Sequence, residues 1–407
     1  MQIGFVNFNT EERKRVAKMM QMLQESEAVE ELGIGRVRDH FSNTLFPGTS
    51  TLQHHAKYFV LLPSLYYDAA HNGRRFGTIR DVEEYIIKAE IQITRQLAEY
   101  EGGTKVGITG INTYKDALND YKKYVKYNPT YIYGSGLATF GMIPNTSIYQ
   151  LILEISREYA ENPHNKHNKV EEETNDAENE LTGRKQHIIR SRKKYDFFEG
   201  TTMPLTLTHN EATFLKEKIT KSCKGSLLTF LLEKDNMDLP PDLNYYDLGG
   251  FVLDLDDRLR DIYNKSVLFS KLIHLVDWSF NDAYYTSFEN DELSEFSKDE
   301  FVQLYQTYKD VYIACKEKYK SLFDYARPID YMLTDFCENC YKAILNKGQS
   351  SLFELSELAT NRERMVKRDR SKIGNTDYSN IIRTTPSYNE FRWSTVRTMV
   401  NEIKNPQ

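Results

Sequence analysis

Asp254, Asp256 and Asp257 form the densest acidic group that adjoins apolar sequence. Carboxylates converging on hard divalent cations are what a metal-dependent nuclease requires. At a helix start the same acids have a plainer use, because they interact favourably with the helix dipole. Four histidines, His40, His54, His55 and His71, crowd a short stretch. On a helix, however, adjacent His54 and His55 would diverge by about 100°, which suits one metal poorly. Cys337 and Cys340 have metal-like spacing but no second pair and no histidine partner motif. His164-Asn-Lys166 opens the pattern of a phospholipase-D-type nuclease, yet Glu171 stands where aspartate is needed. There is no phosphate-binding loop, no third glycine after Gly134-Ser-Gly136 and no Gly-x-Ser-x-Gly elbow. The sequence therefore assigns no catalytic residue, metal or cofactor.

Contact with nucleic acid has more support. A helix through residues 50–62 would turn Gln53, His54 and Lys57 towards a groove or backbone, with Arg36 and Arg38 on the helix before it. Arg190, Arg192, Lys193 and Lys194 make a second basic block, and Arg364, Lys367, Arg368 and Arg370 a third. Each block could neutralise phosphates, with the salt dependence that such contacts carry.

The elements that must hold these residues are mostly helices. Val16, Met19, Met20 and Leu23 have helical spacing within 11–24, as do Ile34, Val37, Phe41 and Leu45 within 33–46. With the turn Pro47-Gly48-Thr49 and a third helix capped by Ser50, they have the form of a helix-turn-helix unit. Ile79, Val82, Ile86, Ala89, Ile93 and Leu97 line one face of a longer helix ending at Gly102-Gly103. VGITGI and YIYGSGLATFGMI are the best strand candidates. Thr208 to Glu211 and Ser297 to Glu300 fit capping boxes ahead of helical periodicity, and Leu255 to Ile273 suggests another long helix. The expected fold is mainly α: an N-terminal helix-turn-helix-like helical domain with little strand, and a C-terminal all-helical bundle.

With 407 residues the chain is too long for one core. Residues 161–194 carry few apolar side chains and no aromatic one, so they divide it into a 1–160 domain, a charged 161–194 linker and a 195–407 domain. Apolar residues at 40% and charged residues at 28% indicate a globular chain, and the net charge of -6 excludes a globally basic coat for nucleic acid. The N-terminus meets charge too soon for a signal peptide and no run is long enough for a membrane span, so a cytoplasmic location without membrane contact is expected.

GFVNFNTEERKRV, ELGIGRVRDHFSNTLFPGTSTLQHHAKYFVLLP, YIYGSGLATFGMI, TLTHNEATFLKEKI and FRWSTVRTMVNEI resemble an uncharacterised bacterial family described only as a domain of unknown function. The resemblance implies genomic islands near helicase and phospholipase-D-like nuclease genes, and so a part in antiphage defence. It supplies no catalytic residue, and His54-His55 stands where a basic, arginine-bearing helix is the family expectation. The reading that follows is a non-catalytic accessory subunit contacting nucleic acid or a helicase or nuclease partner. A metal-dependent nuclease and a structural scaffold are the alternatives.

Overall fold

The computed structural model describes residues 32–103, 106–161, 188–189, 194–198, 200, 202–234, 239–252, 254–314, 316, 321–323, 331–379 and 381–407. The helix expected over 11–24 and nearly all of the 161–194 segment lie outside them. In chain order the helices are α1 (Gly35–Leu45), α2 (Tyr58–His71), α3 (Ile79–Tyr100), α4 (Tyr114–Ala117), α5 (Pro129–Thr139) and α6 (Ile148–Glu161). They continue with α7 (His209–Ser222), α8 (Leu227–Glu233), α9 (Gly249–Val252), α10 (Asp257–Thr286) and α11 (Asp291–Ala314). The last are α12 (Tyr331–Lys347), α13 (Leu352–Lys367) and α14 (Trp393–Lys404). The protein is mainly α, and no strand occurs among the described residues.

Both strand candidates are otherwise built. VGITGI is a series of turns, and YIYGSGLATFGMI is largely α5. Gly136 belongs to that helix because a side chain there would overlap the Gly48 carbonyl oxygen. Its glycine marks a close approach of two backbones, not a bend in a strand.

Two compact units emerge, and each is discontinuous in sequence. Unit 1 is Met1–Ser42 with Gly249–Phe391; unit 2 is Asn43–Leu248 with Arg392–Gln407. These boundaries differ from the 1–160 and 195–407 division, because composition marks where a chain is charged but not which helices share a core.

Unit 1 is organised by α10, a 30-residue helix packed against α11 and α13. Asp256 caps its start by accepting from Leu259 N at 2.9 Å. The α10–α11 connection is tight: Asn290 accepts from Leu293 N, and Glu289 adopts a positive φ of 56°. Helix α11 thus begins seven residues before the expected start, and Ser297 is buried inside it. The local Ser-x-x-Glu pattern was outweighed by packing that extends the helix backwards. An irregular stretch then runs along α10 in the opposite direction. Asn281 donates to Thr384 O (3.2 Å), His274 bonds Pro386 O (3.1 Å), and Ser270 exchanges two 3.0 Å bonds with Asn389.

Unit 2 surrounds α2, eleven of whose fourteen residues are buried. A helix apolar on every side belongs in the middle of a core. Pro63 lies inside it rather than ending it; the hydrogen bond that proline removes is outweighed by burial on all faces. Around α2 pack α3, α5, α6 and α7. Thr78 and Asp81 close a capping box at the start of α3. At its end Gly103 N donates to Ala98 O across Gly102 and Gly103, both at positive φ. Thr208 and Glu211 form the expected capping box of α7. Helix α14 packs on α7 and α8 and is tied to the chain by Trp393 Nε1 donating to Leu243 O and Asn401 Nδ2 donating to Leu239 O, each at 2.7 Å.

Candidate nucleic-acid interface

Residues 51–57, expected within a third helix, form turns ahead of α2. Gln53 is the cause. Its Oε1 accepts from Ser50 N (3.0 Å), while Nε2 donates to Gly48 O (3.3 Å) and Ile132 O (3.2 Å). The backbone N–H groups of His54 and His55 both donate to Tyr133 OH, which keeps them out of a helical ladder. Gln53 is buried, and Lys57 is fully buried with Nζ donating to Glu211 Oε2 (2.7 Å) and Thr206 O (3.1 Å). Neither side chain can turn to a groove. His54 is exposed, whereas His55 bonds Glu402 Oε1 (2.6 Å) and Val106 O (2.9 Å). Moreover Arg36 and Arg38 belong to unit 1 and Gln53, His54 and Lys57 to unit 2, so these five residues do not share one self-contained tri-helical unit.

Within unit 1 the structure joins two basic segments that are remote in sequence. Arg362, buried in α13, donates from Nε to Leu32 O at 3.0 Å. Gly33, at φ 63°, lies so close to Val366 that a β-carbon there would sit 3.2 Å from its methyl group. The start of α1 is thereby fixed beside the last turns of α13. Arg36 is exposed and Arg38 half-buried, 3.6 Å from Asp39. On the neighbouring side Arg364, Arg368 and Arg370 are exposed and Lys372 is half-buried. Lys367, by contrast, is buried.

Glu363 shapes this basic turn. It is fully buried in the middle of the arginine run, and its two oxygens accept from Lys372 N (2.6 Å) and Ile373 N (3.3 Å). The chain must therefore fold back after α13, and Arg368 does so at φ 53°, ψ −122°. That is costly for a residue with a β-carbon, and such strain gathers where a surrounding structure has a geometry to enforce. A buried acid between Arg362 and Arg364 was the available sequence signal.

Of the second basic block, Lys194 is exposed, and Arg190, Arg192 and Lys193 lie outside the described residues. The acidic group is not gathered around one point. Asp256 is a helix cap and Asp257, almost wholly exposed, pairs with Arg260 at 3.3 Å. No group of three or more potential metal ligands occurs among the described residues. Cys337 and Cys340 are free thiols in the core, and burial pushes Cys337 up to about 12. His40 is held below its ordinary value by burial. Among the described residues no helix is long and apolar enough to cross a membrane.

No curated protein matches the chain, and no solved structure does. Residues 1–164 match the model described as a family of unknown function (DUF6361), which agrees with an uncharacterised domain there; the segments 206–219 and 391–403, on which the resemblance also rests, lie outside the match.

Proposed function

We propose that this protein is a non-catalytic accessory subunit that contacts the phosphate backbone of nucleic acid through the arginine face of unit 1. The observation that carries the reading is that Arg362 holds Leu32, just before the helix bearing Arg36 and Arg38, against the α13 segment bearing exposed Arg364, Arg368 and Arg370, whose fold-back is set by buried Glu363. Arginine suits phosphate because its planar fork donates two parallel hydrogen bonds. A partner such as a helicase or nuclease supplies the chemistry, and the defence role implied by the resemblance belongs to the same proposal.

The test is duplex DNA binding as a function of salt. The wild-type protein should lose affinity steeply as salt rises, and Arg364→Glu, Arg368→Glu and Arg370→Glu together should flatten the slope by about one per phosphate contact removed. Binding indifferent to salt and to these changes would leave the face without this role.

A further inference from the structure

Unit 2 carries a surface of different chemistry. Between α3 and α5 the chain reads Lys115, Tyr121, Lys122, Lys123, Tyr124, Val125, Lys126, Tyr127 and, inside α5, Tyr131. Its tyrosines divide into two sets. Tyr114 and Tyr124 turn inward and pack with Ile91, Ala98 and Ala117 in a small core against α3. Gly110, at φ 81°, admits the Tyr124 ring where any side chain would overlap it, and the Tyr124 hydroxyl is anchored 2.7 Å from Thr94 Oγ1. The segment is thus fixed from below. Tyr127 and Tyr131 turn outward, 37% and 48% exposed, with ring centroids 4.9 Å apart and an angle of 33° between planes. Asn128 caps α5 between them and accepts from Tyr131 N at 3.0 Å, which fixes their spacing.

Cations accompany the rings. Lys126 Nζ lies 5.3 Å from the centre of Tyr127, Lys88 Nζ 5.5 Å from Tyr121, and the Arg74 guanidinium 4.7 Å from Tyr85. Lys115, Lys122 and Lys123 are exposed alongside. Tyr85 and Lys88 also line an open groove of about 400 Å³ together with Arg74 and Arg75. Acids are interspersed, with Asp116 and Asp120 exposed and Asp81 and Glu84 on the groove; Glu84 is held below the usual carboxylate range by its hydrogen bond from Lys88.

From this arrangement we infer that unit 2 binds single-stranded nucleic acid, with bases stacked on Tyr127 and Tyr131 and phosphates on Lys122, Lys123 and Lys126. Aromatic faces beside lysines fit a strand whose bases are splayed out. A duplex keeps its bases stacked inside and would use only the lysines. None of these residues belongs to the arginine face, so the two readings fail separately.

The experiment measures fluorescence anisotropy of a labelled oligothymidylate and of a duplex of equal length with the full chain. The oligothymidylate should bind. Tyr127→Ala with Tyr131→Ala should weaken it by about tenfold or more, and Tyr127→Phe with Tyr131→Phe, which keeps both rings, should restore it. Lys122→Glu with Lys126→Glu should lower both affinity and its salt slope, whereas the triple arginine-face variant should leave oligothymidylate binding within about twofold. If the alanine pair melts early, the phenylalanine and lysine variants carry the test. Absence of binding, equal competition by polyglutamate or polyphosphate with no effect of the tyrosine changes, or loss only in the arginine-face variant would each overturn the proposal.

Discussion

Lys57 Nζ lies 2.7 Å from Glu211 Oε2 with both side chains closed to solvent. The same carboxylate completes the capping box of α7 and accepts from Tyr195 OH. Burial would push the Glu211 carboxyl up, but hydrogen bonds from Lys57, Tyr195 and Thr208 and the lysine charge hold it below its ordinary value. Removing one partner strands the other charge in the interior, so Lys57→Met should destabilise the protein by about 3–5 kcal/mol in chemical denaturation. Adding Glu211→Leu should recover most of that loss, apart from roughly 1 kcal/mol for the cap.

Glu90 has the opposite environment. It is fully buried in α3; Thr130 N and Oγ1 donate to Oε1 at 2.6 and 2.7 Å, and Oε2 meets no partner among the described residues. Burial raises the carboxyl from 4.5 to about 8. Between those values the folded chain holds a proton that the unfolded chain has lost. Stability therefore falls as pH rises through that window, by at most about 1.4 kcal/mol per unit, and levels off above it. Glu90→Gln should flatten the dependence in denaturant titrations at about pH 5, 7 and 9. A curve unchanged by the substitution would mean that Glu90 is not the group responsible.

Arg368 should separate stability from binding. Arg368→Gly relieves a backbone at φ 53°, ψ −122° and is expected to raise stability by about 1 kcal/mol or more. Its effect on duplex affinity should be a decrease. Parallel thermal melts and salt-dependent binding curves would show the two changes moving in opposite senses.

Gly136→Ala tests the contact between α5 and the turn at Gly48. Helix propensity alone would favour alanine by about 1 kcal/mol. Overlap with a backbone oxygen is harder to relieve than overlap with a side chain, so a net loss of about 1–3 kcal/mol is expected. A stabilised variant in thermal unfolding would show that the turn yields.

The helices were legible where local chemistry and packing agree. Thr208 to Glu211 is a capping box in both sequence and structure, and the stripe from Ile79 to Leu97 ends at its glycine pair. Ser297 to Glu300 has the same local grammar but sits within α11, since a cap pattern cannot report that an earlier asparagine has already started the helix. Lys57 illustrates the limit for the site. Its charge suggested an outward contact, whereas its partner lies 154 positions away in sequence, a separation no local pattern can bridge. Arg364, Arg368 and Arg370 are exposed; what composition could not show was that Arg362, in the same run, is buried and holds Leu32 at the approach to α1. The lysines and tyrosines at 114–131 went unread in the sequence, because their division into inward and outward rings depends on Gly110 and α3.

Unit 2 takes its final helix from residues 392–407, after the whole of 249–391 has been made for unit 1. During synthesis the surfaces of α7 and α8 that receive α14 must therefore wait, uncovered, while 143 intervening residues leave the ribosome. Non-local closure of this kind slows folding and prolongs exposure of apolar surface. The order of translation consequently makes the docking of α14 the step that closes unit 2, taken only after 249–391 has been synthesised.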